Sequence, residues 1–328
     1  MQGLPTSRSQ LVLKIDVDTF RGTREGVPNL VRILSAHQAH ATFLFALGPD
    51  HTGRAMKRAL RPGFFSKVSR TSVVEHYGVK TLLYGVLLPG PDIGKEASIE
   101  MRAAQDAGFE CGIHTWDHVA WQDQVRTKDA NWTARMMRAS AVRFKRVFGV
   151  PARTHGAAGW QMNAAAFAEN DAAGYRYVSD GRAALLDNGA LADPAMGPYR
   201  MAPGGAIQMP TTLPTLDELL GRDIDGVTLT TDNIAAHILA LTAAPKRDHV
   251  YTLHAELEGQ KLAPIFEQLL SGWRLQGYEL ASMADYYEKI KDLPLPQRRL
   301  AWGEVPGRSG ELIVPGAVIQ QGPMPEPT

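Results

Sequence analysis

Phe109-Glu110-Cys111-Gly112-Ile113-His114-Thr115-Trp116-Asp117-His118 decides how the rest of the chain is read. An apolar run of strand length ends in one histidine, and a second stands four residues on. Neutral imidazoles are common ligands for zinc and similar divalent ions. A strand that ends in one ligand and passes into a helical turn carrying the next fixes both rigidly. Ten His in 328 residues give about 0.3 such pairs by chance, so the flanking sequence has to supply the meaning.

Outward from that pair the chain alternates strand and helix. Leu11-Val12-Leu13-Lys14-Ile15 is strand-like and ends at Asp16, and a helix follows near Pro28. Ala41 to Leu47 is a second strand, and a helix over 95–107 leads through Gly108 into the strand 109–113. Asp129 to Val147 reads as a long helix stopped by Gly149 and Pro151. Short strands follow at 152–154 and 175–179, with a helix over 163–173 between them. Later come a helix at 232–243, a strand at 249–253, a helix at 263–275, Glu279-Leu280 and a helix at 283–291. Repeated strand–helix units with about seven strands predict an α/β fold, a closed or nearly closed barrel. We expect one domain over 8–292, interrupted by an inserted lobe at 56–94 and followed by an irregular Pro/Gly-rich tail at 293–328.

Composition narrows the function classes. A net charge of +1 argues against a dedicated nucleic-acid binder. Cys111 is the single cysteine, which excludes an intrachain disulfide and a cysteine-rich metal site and suggests a reducing compartment. It lies in an apolar run and reads as a small buried hydrophobe. The N-terminus has no apolar signal core, and no run approaches the roughly 18 apolar residues that span a bilayer. A soluble or peripheral protein in the cytoplasm is the expectation.

In α/β barrels chemistry collects at the C-terminal ends of the strands. Four such ends carry useful groups: Asp16-Val17-Asp18, then His114 with His118, then Arg153, then His254-Ala255-Glu256. Together they offer three hard or borderline ligands, a carboxylate base, a cation and an acid histidine. That set suits metal-assisted attack of water on a carbonyl. Side chains at i and i+2 of a strand face one side, so Asp16 and Asp18 can reach one pocket.

Asp-x-Asp, His-Thr-x-x-His, an arginine motif and Leu-His, in this order over residues 11–290, resemble the NodB-like polysaccharide deacetylases. Ile15-Asp16-Val17-Asp18-Thr19, Arg21-Gly22-Thr23-Arg24, Gly112 to His118 and His254-Ala255-Glu256-Leu257-Glu258-Gly259 resemble, more narrowly, the branch that deformylates a lipid-linked formamido-sugar for lipid A modification and polymyxin resistance. The resemblance implies a NodB-type distorted (β/α)7 barrel that holds one divalent metal ion, zinc or alternatively manganese, cobalt or nickel. Asp18, His114 and His118 would be its ligands and Asp16 the general base. Arg153 would pair with that base, His254 would protonate the leaving amine, and Asp180 would orient His254. Two departures stand out: family members often have adjacent Asp-Asp where this chain has Asp-Val-Asp, and the proline usual after the arginine is missing, with His155-Gly156 following.

The remaining residues read more plainly. Glu256 either orients substrate or caps the following turn. His155 reads as a loop histidine, Trp116, Trp121 and Trp160 as packing, and His37, His40, His51, His76, His237 and His249 as structural or solvated. In 56–94, Lys57, Arg58, Arg61, Lys67, Arg70 and Lys80 alternate with apolar residues. The resemblance makes this lobe an anionic-membrane contact at the cytoplasmic side of the inner membrane. The alternatives are a deacetylase of another N-acylated glycan and a catalytically silent binder of lipid-linked glycan.

Overall fold

The computed structural model describes residues 8–55, 79–201 and 205–319. Its strands are β1 (Gln10–Val17), β2 (Thr42–Ala46), β3 (Glu110–Thr115), β4 (Thr154–His155), β5 (Tyr177–Val178), β6 (Tyr199–Met201), β7 (Ile207–Gln208), β8 (Asp223–Ile224), β9 (Val227–Thr228), β10 (His249–His254), β11 (Glu279–Ala281), β12 (Gln297–Glu304) and β13 (Glu311–Val318). In the order β10-β1-β2-β3-β4-β5-β7 all neighbours run parallel. The sheet curls until the chain beyond β7 meets β10: Thr212 N donates to the Val250 carbonyl at 2.9 Å and Val250 N to Thr212 Oγ1 at 2.9 Å. This is the expected α/β barrel, closed at that seam by contacts of Thr211 and Thr212 with β10 instead of a full ladder.

β1 is buried along its whole length, as a parallel strand covered on both faces must be. Its alternation sorts the barrel. Leu11, Leu13, Ile15 and Val17 face outward into a core with Ile33, Phe43, Phe266 and Trp273. Val12, on the other face, joins Tyr177, Ile207, Met209 and Met283, and the helix Met283–Ile290 plugs that end. Val12, Lys14 and Asp16 therefore form a series on the inner face, from an apolar floor toward the C-terminal mouth. Sequence punctuation sets the helix ends: Asp129 caps Ala130–Phe148 through Trp132 N at 2.7 Å, Gly149 closes it at φ 76°, and Asn163 caps Ala164–Ala172.

One expectation changes. Residues 297–318 are not an irregular tail. β12 and β13 form an antiparallel hairpin, and β12 extends the sheet through β6. Leu300, Trp302 and Ile313 pack with Trp121, and Leu312 packs with Trp160. Gly307 and Gly310, at φ 87° and 79°, make the turn, and Pro315 is tolerated because β13 is the edge strand. The proposed lobe 56–94 is described only from residue 79, so Lys57, Arg58, Arg61, Lys67 and Arg70 lie outside the described residues.

Candidate active site

The ends of β10, β1 and β3 converge, with β2 between β1 and β3. Asp16 of β1 is in register with Leu44 of β2 and His254 of β10, and β2 carries β3 beside it. β3 runs on to Thr115, two residues past the expected end, so His114 sits on the strand itself. His118 opens the helix His118–Gln124, whose cap is Asp117, accepting from Ala120 N at 3.0 Å. The two histidines are thus fixed by a strand end and a capped first turn.

Donor atoms of Asp18, His114 and His118 all lie within 4.8 Å of one another. His114 Nε2 is 3.2 Å from Asp18 Oδ1, and His118 Nε2 is 3.4 Å from Asp18 Oδ2. His114 Nδ1 donates to the Gly156 carbonyl at 2.7 Å, which leaves its Nε2 lone pair for a ligand's role. Burial opposes the charge on Asp18, yet His118 and His114 together hold its carboxyl well below the usual carboxylate range. Asp18 Oδ1 is buried with no hydrogen-bond partner. An orphaned anionic oxygen facing two imidazoles is the environment of a divalent cation, and the donor set fits one.

Asp18 is held from behind by Glu256. Glu256 Oε1 accepts from Asp18 N at 3.1 Å, Thr19 N at 2.8 Å and Thr19 Oγ1 at 2.8 Å. Glu256 thus caps the turn after β1, and not the turn that follows it in the chain. Gly22 is required here, since a Cβ would come within 1.9 Å of Glu256 Oε1. Burial, and next the Asp18 charge, push the Glu256 carboxyl well above its ordinary value.

Asp16 has a partner that the sequence reading missed. Lys14 Nζ, fully buried, is 3.0 Å from Asp16 Oδ2, and it lies 5.1 Å above the Trp160 ring. Asp16 Oδ1 makes no hydrogen bond and stands 3.7 Å from His114 Nδ1. The signal was available: a lysine inside an apolar strand, two residues before a carboxylate, shares its face.

Arg153, assigned to that pairing, lies elsewhere. β4 begins at Thr154, so Arg153 precedes the strand and sits at its N-terminal end. It is exposed and lines a hollow with His40, Glu110 and Asp285, at the opposite pole from Asp16. Asp180 also departs from expectation. Its Oδ1 bonds His155 Nδ1 at 2.7 Å, and its Oδ2 accepts from Asn170 Nδ2 at 2.8 Å and Gln208 Nε2 at 3.2 Å. His155 is therefore a buried, satisfied histidine, not a loop one. His254 Nδ1 is buried without a hydrogen bond. The carboxylate that touches His254 is Glu258, whose Oε2 accepts from the His254 backbone N at 2.9 Å and whose Oε1 accepts from Tyr251 OH at 3.2 Å. Burial raises the Glu258 carboxyl to about 7. Trp160 does pack, as read, but between the cations of Arg182 and Arg308, at 4.9 and 4.8 Å.

Three residues that could hold a metal ion and a buried carboxylate, at the mouth of a distorted parallel barrel, are the arrangement of a deacetylase-like hydrolase. The chain belongs to the polysaccharide deacetylase family, which it matches over residues 5–178. Within it, the chain is 35% identical over 309 residues to the "Probable 4-deoxy-4-formamido-L-arabinose-phosphoundecaprenol deformylase ArnD" of Shewanella sediminis, covering 94% of this chain and 95% of that one. The protein of the same name from Wigglesworthia glossinidia brevipalpis is 29% identical, covering 91% and 100%. Among solved structures, a protein from Mycobacterium smegmatis assigned to the polysaccharide deacetylases superposes with a TM-score of 0.58 at 15% identity, covering 92% of this chain and 97% of that one. A GH57 branching enzyme from Thermococcus kodakaraensis superposes at 0.54 and 12% identity, covering 89% and 72%. Both structural likenesses show the fold alone and leave the reaction to the site.

Proposed function

We propose that this chain hydrolyses the formamide of 4-deoxy-4-formamido-L-arabinose-phosphoundecaprenol, yielding formate and the free amino-sugar lipid. The relationship to the ArnD deformylases over nearly the whole of both chains carries this reading. The site supports it with an acid, a base and a ligand set, none of which a silent glycan binder needs.

Asp18, His114 and His118 would hold one divalent ion, zinc or alternatively manganese, cobalt or nickel. When bound it supplies Lewis acidity toward a carbonyl oxygen and toward water. The chain's own residues do the rest. Lys14 occupies Asp16 Oδ2 and orients that carboxylate, leaving Oδ1 to take the proton of the attacking water. Glu256 keeps the Asp18 turn in place. His254, whose backbone Glu258 fixes, gives a proton to the sugar nitrogen as the carbon–nitrogen bond breaks. Formate leaves, and the amine remains on the sugar.

A substrate with an undecaprenyl tail stays in the bilayer, so the protein works as a peripheral enzyme at the cytoplasmic face of the inner membrane. No helix among the described residues is long and apolar enough to cross a membrane. The contact would come from the basic and apolar segment 56–94, whose described end exposes Val86, Leu87 and Leu88.

The test is an assay of formate and acetate release from formylated and acetylated undecaprenyl-phosphate sugars, with metal supplied and then chelated. Metal-dependent formate release is expected. Acetate release without formate release would move the enzyme to another N-acylated glycan, and release of neither would make the chain a binder.

A further inference from the structure

Beyond the metal ligands, a chain of contacts leads outward along one side of the mouth. Asp117, which precedes His118 and caps its helix, holds His51 through Oδ2 and Nδ1 at 2.6 Å. The imidazole then faces Gly85, where a Cβ would meet His51 Cδ2 at 2.8 Å and Arg54 Nε at 3.1 Å. Gly85 has φ 77° and admits both side chains to the same space because it lacks that Cβ. Arg54 donates Nε to the Gly85 carbonyl at 3.1 Å, and its Nη groups make no hydrogen bond among the described residues. The arginine is exposed, and its fork points to no carboxylate among the described residues. Neighbouring Asp50 is already saturated by Phe20 N, Thr52 N and Thr52 Oγ1. Immediately past Gly85, Val86, Leu87 and Leu88 are 54%, 76% and 38% exposed, on a turn closed by Gly85 N to the Leu88 carbonyl at 2.7 Å.

We infer that Arg54, with His51 beside it, binds the phosphate of the lipid-linked sugar, and that the Val86–Leu88 turn receives the first isoprene units. The inference rests on the lipid-linked substrate proposed above. That substrate is an amide-bearing sugar, an anion and an apolar chain in fixed order. The protein presents, in the same order, a candidate metal-ligand triad with its base, a guanidinium anchored through Nε whose Nη groups have no partner among the described residues, an anchored imidazole, and an exposed apolar turn. A guanidinium fork matches two phosphate oxygens, and a single lysine would not. Burying Leu87 against a prenyl chain would remove apolar surface that the protein otherwise leaves in water.

Calorimetric titration of the metal-loaded full chain with farnesyl phosphate tests this without turnover. Wild-type protein should bind farnesyl phosphate and discriminate against farnesol. Arg54→Gln should weaken farnesyl phosphate binding about tenfold or more, and Leu87→Asp about three- to tenfold, both with the wild-type melting temperature. Equal affinity of wild type and folded Arg54→Gln for farnesyl phosphate overturns the inference, as does equal affinity of wild type for farnesol. Arg54-dependent binding by a protein that releases no formate from the lipid-linked formamide would keep the subsite and refute the deformylase reading.

Discussion

Lys14 and Asp16 form a buried ion pair on the inward face of one strand, Nζ to Oδ2 at 3.0 Å. A single strand thus supplies both the proposed base and the cation beside it, two residues apart, with no loop between them to set their separation. Lysine presents a compact charge to one carboxylate oxygen, and the second oxygen stays free toward His114.

Removing one partner of this pair leaves a buried charge uncompensated. Lys14→Met should lower the unfolding free energy by about 3–5 kcal/mol and reduce turnover. Asp16→Asn should retain metal and lose on the order of 10²–10⁴ in rate. Denaturant titration and steady-state kinetics read these effects. Near-normal turnover in Asp16→Asn would remove Asp16 as the base.

One divalent ion per chain should bind Asp18, His114 and His118. Elemental analysis of the His114→Ala, His118→Ala double variant is the direct check, with circular dichroism to establish that it is folded. Stoichiometric metal in that folded variant would refute the ligand assignment.

Arg153 and Asp180 should separate from His254 in their effects. Arg153→Ala, altered at the far pole of the barrel, should turn over within about twofold of wild type, since surface changes away from a site cost little. Asp180→Asn should cost about 1–3 kcal/mol of stability by disturbing the bonds to His155, Asn170 and Gln208. His254→Ala should stay folded and lose on the order of 10² or more in rate. A hundredfold loss in Arg153→Ala would return that arginine to the catalytic site.

Acid should destabilise the seam of the barrel through His249. Burial, reinforced by Arg247, pushes its imidazole from 6.5 down to about 4. The folded state thus resists a proton that the unfolded chain accepts. The stabilisation is complete above pH 6.5 and is lost as pH falls through 4, by about 3 kcal/mol in total. Urea unfolding between pH 4 and 7 should show a steeper fall for wild type than for His249→Gln. Parallel slopes would mean that His249 does not contribute.

What the chain determined by itself is local. Continuous apolar runs marked β1, β2 and β3, capping residues such as Asp129, Asn163 and Gly149 placed helix ends, and the four-residue spacing of His114 and His118 marked a candidate ligand pair, because each depends on neighbours a few residues away; Asp18 joined that pair only through the family resemblance. Tertiary structure decided the partners. β4 is two residues long and starts one residue beyond Arg153, and a shift of that size exchanges the ends and faces on which side chains lie. Hence Lys14, not Arg153, meets Asp16. Asp180 joins His155 because β4 and β5 pair, and Glu256 reaches the Asp18 turn because β10 lies beside β1. The hairpin of β12 and β13 follows the same rule. Its residues look like an irregular tail until Trp121 and Trp160, far away in sequence, offer them a surface to bury.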